Sequence, residues 1–406
     1  MIRIFVFIVV ASLAGSSFAQ LKFEMQQPDV RLAIGYAVSL ADMNEDSKPD
    51  LLIVDKNRVI WLENPGWKLH TIIETPGKTD NVCVAPYDID RDGKLDIALG
   101  ADWTLNTRAG GTIQWLRRGA KADEPWSVHS IGEEPTVHRM RWVDLDADGR
   151  SELVVLPLLG RDSTRPHFAE RGVRVLAYKI PTDPVQDSWR PEVLNSDLHV
   201  THNFWPTDLD RDGRIDLLVT SFEGVSLLTR PAKEAKWSRI LVGEGNQKTS
   251  PNRGASEVKH GKLSGNREYV ATIEPWHGHQ VVVYTRPAPS TEKPPAADRL
   301  WTRHVLDEEL QWGHAVWCAN IDGDADEELI IGVRDDKEGT QSARRGVRIY
   351  DPAGDKPGEW KRTLVDPGGV AVEDMAAADL DGDGRTDVVA VGRQTNNVRI
   401  YWNRGK

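Results

Sequence analysis

The chain has 406 residues, with 62 acidic against 51 basic side chains, a formal net charge of −11 and two cysteines. This balance argues against nucleic acid or an anionic membrane surface as partner, since both select basic proteins. Two cysteines make no disulfide framework; Cys83 and Cys318 fall in apolar runs of different segments, so two buried free thiols are expected.

The first residues, MIRIFVFIVVASLAGSSFAQ, combine Arg3, an apolar run from Ile4 to Leu13 and the small-residue stretch Ser17-Phe18-Ala19. That order reads as an export signal over 1–19, and the mature chain is expected to be secreted or periplasmic. The run is short for a bilayer, no later stretch reaches membrane length, and no cysteine follows the cleavage site for lipid attachment, so no membrane insertion is expected.

Beyond it one pattern recurs: DMNEDSKPDLLIV from Asp42, DIDRDGKLDIALG from Asp88, DLDADGRSELVVL from Asp144, DLDRDGRIDLLVT from Asp208, NIDGDADEELIIG from Asn320 and DLDGDGRTDVVAV from Asp379. The gap between the copies at Asp208 and Asn320 is about twice the others, and KLSGNREYVAT from Lys262 fills it as a copy that has lost its carboxylates. Each acidic loop lies between an apolar run and a β-branched run. A third alternating segment follows (VIWLEN, TIQWLRR, VRVLAYKI, VSLLTRP, VVVYTRP, VRIYDP, VRIYWN), and usually a fourth that opens on Trp. Repeated four-strand units of this kind predict an all-β fold, a seven-bladed β-propeller of four-stranded blades filling residues 20–406 without a linker. Only six Trp-led fourth strands exist, so the last blade is expected to be closed by the mature N-terminal strand at Leu21 to Met25.

The acidic loops place oxygen-bearing side chains at positions one, three, five and nine with Gly commonly at six, the donor pattern of a calcium loop. The candidate ligands are Asp42, Asn44, Asp46 and Asp50; Asp88, Asp90, Asp92 and Asp96; Asp144, Asp146, Asp148 and Glu152; Asp208, Asp210, Asp212 and Asp216; Asn320, Asp322, Asp324 and Glu328; and Asp379, Asp381, Asp383 and Asp387. The first set, with Ser47 at six, and the fifth, with Asp326 there, are the weaker loops. Such calcium is expected to be structural. These repeats resemble the FG-GAP (VCBS-type) repeats of integrin-like propellers over essentially the whole mature chain, a likeness specific for fold and uninformative about activity.

Six residues before the first loop ligand, successive repeats carry Tyr36, Val82, His138, His202, His314 and Glu373, with Ser256 or Glu257 in the decayed copy. That position enters the innermost strand beside the central channel, so the imidazoles are expected to converge with Glu373 near the axis, where zinc or another divalent metal could be held. Polar loops share that rim and bring Trp103, Arg161, Arg171, Glu274, Trp276, His277, Arg334, Arg344 and Arg345, pointing to a site for a small polar ligand.

The segments HRMRW, HNFWPTDLD, GASEVKHG, IEPWHGHQ and GHAVW are, in addition, similar to the propeller of the aldos-2-ulose dehydratase family. That resemblance implies a metal-dependent lyase or dehydratase acting by β-elimination on keto-sugars or oxidised glycosides. It implies His138, His202 and His314 as metal ligands or base, and His277, Glu257 and Glu274 in the catalytic set. It narrows the ligand to a small sugar or oligosaccharide, with Trp103, Trp276, Arg139 and Arg334 as sugar contacts. Two other readings fit the same residues: a non-catalytic calcium-stabilised propeller binding a glycan or a protein, and a polysaccharide lyase acting on uronates through the rim arginines.

Overall fold

The computed structural model describes residues 21–75, 80–121, 124–230, 236–287, 300–334, 345–354 and 356–405. The export signal read over 1–19 and the loop segment 335–344, with Arg344, lie outside the described residues.

Twenty-eight strands form seven antiparallel four-stranded sheets. The first blade is β2 (Gly35–Ala41), β3 (Asp50–Asp55), β4 (Arg58–Glu63) and β5 (Lys68–Glu74); the second is β6 (Cys83–Tyr87), β7 (Asp96–Ala101), β8 (Thr112–Arg117) and β9 (Ser127–Glu133). The third is β10 (Val137–Val143), β11 (Glu152–Pro157), β12 (Val173–Tyr178) and β13 (Pro191–Leu198); the fourth is β14 (Phe204–Thr207), β15 (Asp216–Ser221), β16 (Gly224–Thr229) and β17 (Ser238–Gly243). The fifth, from the decayed repeat, is β18 (Glu257–Leu263), β19 (Arg267–Glu274), β20 (Gln280–Thr285) and β21 (Thr302–Asp307). The sixth is β22 (Gly313–Ala319), β23 (Glu328–Val333), β24 (Gly346–Pro352) and β25 (Trp360–Leu364). The seventh joins β26 (Val372–Ala378), β27 (Asp387–Gly392) and β28 (Val398–Asn403) to β1 (Phe23–Gln26), the N-terminal strand.

Closure is antiparallel, with Phe23 opposite Asn403 and Gln26 opposite Ile400. It lies where the alternation of the first mature residues puts it, starting two residues and ending one residue later than the sequence reading. The second strand of every blade is buried on both faces, because it meets the blades before and after it, and its β-branched and Leu-rich sequence follows from that.

A repeated tyrosine locks one blade to the next. Tyr350 of β24 donates its hydroxyl to Asp307 at the end of β21 at 2.6 Å, and Tyr401 of β28 donates to Asp366, just past β25. Where the preceding outer strand has glycine instead, the ring fills the space: a Cβ on Gly132 would lie 3.0 Å from the Tyr178 hydroxyl, and one on Gly243 2.2 Å from Tyr284. Cys83 is buried and Cys318 half-buried, both as free thiols.

The decayed hairpin of the fifth blade is held from both sides by protein groups. Glu268 at the head of β19 takes Arg286 Nε at 2.7 Å and Arg211 Nη2, from the fourth blade's acidic loop, at 3.1 Å, with His260 Nε2 3.3 Å away. From the other side, Glu327 accepts the Lys262 N–H at 2.9 Å and Asp326 accepts the Ser264 N–H. Asp326, at the glycine position of its own loop, therefore serves its neighbour.

The His260 ring beside it and the hydrogen bonds from Arg286 and Arg211 outweigh the desolvation of Glu268 and hold its carboxyl at about 2. A depressed carboxyl stabilises the fold above its unfolded-state value, and that contribution is lost as pH falls through the folded value. Glu268→Gln should therefore cost about 1–3 kcal/mol at neutral pH, the range for a hydrogen bond to a charged group. The gap to the parent protein should close as pH falls from about 4.5 towards about 2, as read by denaturant melts over that window.

Candidate metal centre at the hub

The innermost strands of neighbouring blades pack around the axis, and most begin with the same irregularity. The register slips between Gly35 and Ala37, between Val137 and Arg139, between Gly313 and Ala315, and between Val372 and Asp374. The inserted residue is Tyr36, His138, His314 or Glu373, so the offset shared by the repeats is a β-bulge. A bulge re-aims its side chain out of the pleat, here towards the hub. His202 occupies the same place just ahead of β14, where its N–H bonds to Thr220 O at 3.2 Å.

Four imidazoles meet there. His202 lies 4.6 Å from His138 and 5.1 Å from His314 between ring centroids, and His277 lies 4.6 Å from His202 and 4.8 Å from His314. His277 comes from the turn after β19, where it adopts φ of +51°, a left-handed conformation that costs a non-glycine residue energy and commonly marks a functional turn. Its ring is stacked on Trp276 at 3.9 Å. One donor atom from each of His202, His277 and His314 falls within 4.8 Å of the other two, and the Nε2 atoms of His202 and His277 are 2.7 Å apart. Two nitrogens on one ion, each about 2.0–2.1 Å from it, would stand about 3 Å apart.

The surrounding groups orient these rings. Glu257 Oε1 lies 2.7 Å from His202 Nδ1, approaching off the line of an ideal hydrogen bond, while Glu257 Oε2 accepts from Asn203 Nδ2 at 2.5 Å. His314 Nδ1 donates to the Glu373 carbonyl at 2.6 Å. Nδ1 of His314 is thus engaged and Nδ1 of His202 faces a carboxylate, which directs both Nε2 atoms to the centre, the arrangement by which proteins fix the tautomer of a ligating imidazole. His138 differs: neither of its ring nitrogens has a hydrogen-bond partner among the described residues, although the ring is buried.

Burial holds all four imidazoles below their ordinary pKa. The next cause is Arg139 for His138, His202 for His277 and Arg334 for His314; for His202 the Glu257 carboxylate opposes the shift. Neutral imidazoles are the form that binds a borderline divalent metal. A buried, largely unsatisfied set of neutral nitrogen donors fits such an ion, with His202, His277 and His314 as the residues that could hold it.

Several expectations need correcting. Glu373 is at the predicted bulge, but its carboxylate is taken by Arg334 and Arg393, each at 2.8 Å, so its carbonyl orients His314 and its carboxylate is not a free ligand. Arg334, expected on sugar, is buried against Glu373 and lies over Trp312. Glu274, expected in the catalytic set, faces away from the axis: Tyr284 donates to it at 2.6 Å and Arg303 Nη2 at 2.6 Å. Trp103 does not reach the imidazoles; it packs with Trp276 against the small apolar cluster of Leu158, Leu159, Val200 and Phe222. Arg139 donates to the His138 carbonyl at 3.1 Å and lines the channel below it. Asn203 was missed, and its place directly after His202 was the available signal.

At the opposite rim the acidic loops wrap as their glycine pattern requires. Gly93, Gly149, Gly213 and Gly384 at position six all have φ between +82° and +88°. Asp88–Asp90–Asp96, Asp144–Asp146–Glu152, Asp208–Asp210–Asp216 and Asp322–Asp324–Glu328 each bring carboxylate oxygens together. Among the described residues Asp146 Oδ1, Asp208 Oδ1 and Glu328 Oε1 are buried without a partner, and burial raises Asp96 and Asp216 to about 6 and Glu328 to about 8.

Comparison with known proteins finds relatives of the same fold. The profile of the aldos-2-ulose dehydratase β-propeller domain matches residues 110–287, and that of an FG-GAP-like repeat matches 42–99. The aldos-2-ulose dehydratase of Phanerodontia chrysosporium is 27% identical over 323 residues, 74% of this chain. The chain resembles the dehydratase propeller. It spans only 34% of that enzyme's length. Among solved structures, the mitotic checkpoint complex (TM-score 0.55, 11% identity, 99% of both chains) and an Agrocybe aegerita lectin that recognises non-reducing terminal N-acetylglucosamine (TM-score 0.51, 12% identity, 92% of this chain and 86% of that one) share the fold. The stretch matching the dehydratase propeller holds His138, His202, Glu257 and His277, whereas His314 and Glu373 lie beyond it.

Because Glu274 is occupied by Arg303 and Tyr284, Glu274→Gln should lower stability by about 2 kcal/mol, as for a weakened charge-assisted network. Bound-metal content, read by elemental analysis beside the melt, should be unchanged.

Proposed function

We propose that the chain is a metal-dependent sugar dehydratase that eliminates water from a keto-sugar at the imidazole cluster. The observation that carries this reading is the division among the four histidines. His202, His277 and His314 share one centre, while His138, 4.6 Å from His202, keeps both ring nitrogens unpartnered. The similarity to the aldos-2-ulose dehydratase propeller supports the substrate class.

A divalent ion at this centre would supply electrophilic polarisation of the substrate ketone. In the proposed reaction neutral His138 accepts the proton from the carbon beside the ketone, and the C–H electron pair becomes the new C=C bond as the β C–O bond breaks. The departing hydroxide takes the proton back from the His138 imidazolium, so water leaves and the histidine is restored. Trp276, stacked on His277, walls the cluster beneath the loops of that rim, and Glu257 keeps His202 oriented. We further infer that the protein is exported, as its first residues indicate, and that calcium occupies the acidic turns as a structural ion. The unpartnered buried oxygens of Asp146, Asp208 and Glu328 support the latter.

Elemental analysis of purified protein should find one transition-metal equivalent besides calcium. His202→Ala and His314→Ala should lose the transition metal and keep the calcium. His138→Ala should retain the metal yet lose at least about a hundredfold in enone formation from a keto-sugar panel, the scale of a general base. Calcium alone in the parent protein, or a His138→Ala variant of normal turnover, would sink the assignment. For the acidic turns, chelation should lower the melting temperature and added calcium restore it. An unchanged melt would remove calcium from the account.

A further inference from the structure

The innermost strands continue from the imidazoles towards the acidic turns and enclose a channel of about 460 Å³, lined among others by Arg139, Arg141, Lys259, Asp374, Trp205 and Trp317. Its place follows from chain order: His138 precedes Arg139 and Arg141, which precede the acidic loop at Asp144, and the same holds from His314 through Trp317 to Asn320. The volume is that of a small-molecule site.

The charges in this channel are unbalanced. Elsewhere arginines are paired with carboxylates, Arg334 and Arg393 with Glu373 near the hub and Arg303 with Glu274 further out. In the channel, Arg139 donates to a carbonyl, and Arg141 donates to Asn203 Oδ1 at 3.0 Å and Phe204 O at 2.6 Å. The Lys259 ammonium rests on indole faces, 3.7 Å from the Trp205 ring centroid and 4.7 Å from that of Trp317. Among the described residues none of these cations has a carboxylate within ion-pair distance. Asp374, the acid among the lining residues, spends one oxygen on the Val38 N–H at 3.0 Å. Burial, then Arg141, pushes Lys259 down to about 7, although Glu257 and Asp374 pull the other way. The three cations set against the carboxylates of Glu257 and Asp374 leave the channel net positive. Buried cations without a direct ion pair are costly, and sites that keep them commonly serve an anion.

We propose that this channel binds a small sugar acid, with its carboxylate at Lys259 and Arg141. The indoles of Trp205 and Trp317, tilted at 68° with centroids 5.8 Å apart, offer apolar walls for the C–H face of a pyranose. An inorganic anion would use the cations and leave those walls unemployed. The site shares no side chain with the imidazole cluster, so it stands whether or not the dehydratase reading does.

Calorimetric titration of the purified protein with sodium glucuronate, glucose, acetate and phosphate tests it. Glucuronate should bind saturably at one site, and glucose should give no heat. Acetate and phosphate should bind at least tenfold more weakly than glucuronate. Lys259→Met should weaken glucuronate at least tenfold while raising the melting temperature of the free protein, since it replaces an unpaired buried cation by an apolar chain of similar length; that rise also shows that the variant folds. Trp317→Phe should weaken glucuronate and leave acetate unchanged. No glucuronate binding, equal binding by Lys259→Met, or phosphate binding as tightly as glucuronate would overturn the proposal. The titration reads neither metal content nor turnover, so its failure is separate from failure of the function proposed above.

Discussion

Everything in this molecule depends on ring closure. Each blade buries both faces against its neighbours, so an open end would expose an apolar sheet face and leave the seventh blade one strand short. The pairing of β1 with β28 supplies that strand from the other end of the described chain. Once the ring is closed, positions equivalent in sequence become neighbours around an axis, and a functional group can be assembled from residues more than a hundred positions apart. The tyrosine links from Tyr350 to Asp307 and from Tyr401 to Asp366 work to the same end, holding successive blades in register at the outer strands.

The bulge at the head of the innermost strand turns that symmetry into chemistry. In a regular strand, side chains entering the hub would alternate between the two faces of the blade and pack against its neighbours. One extra residue in the register frees a side chain from that alternation. The ring uses the place differently from blade to blade: tyrosine in the first, histidine in the third, fourth and sixth, and glutamate in the seventh, whose charge is consumed by Arg334 and Arg393. Equivalence of position therefore does not mean equivalence of role.

That distinction separates what the sequence disclosed from what it hid. Strand number, blade order and ring closure were legible because acidic loops, alternating runs and Trp-led strands recur with a period, and the convergence of His138, His202 and His314 follows from a shared offset. His277 could be named as a rim residue, but its insertion between His202 and His314 depends on a left-handed turn that has no repeat-mate. Glu274 and Glu373 were misjudged for one reason: a carboxylate's availability is set by its cationic partners, here Arg303, Arg334 and Arg393, which come from other strands or loops and are invisible to an offset comparison. Lys259 and Arg141 drew no notice, since single cations in apolar segments carry no pattern until the ring gathers them.

The net charge of −11 describes the periphery and conceals the axis. Carboxylates gather at the turns of one rim, where raised values at Asp96, Asp216 and Glu328 show that burial, more than solvent, governs them. Further in, Arg139, Arg141 and Lys259 line a cationic channel, and beyond it four imidazoles are kept neutral by desolvation. Each layer is incomplete in a different sense: the turns have oxygens in want of a cation, the channel has cations in want of an anion, and the imidazoles have nitrogens in want of an electrophile. Proteins rarely bury polar groups without satisfying them, because the desolvation is not otherwise recovered. Complementary deficits stacked along one axis, while Glu268 and Glu274 elsewhere are paired with arginines, support the proposal that the hub is shaped by what it binds.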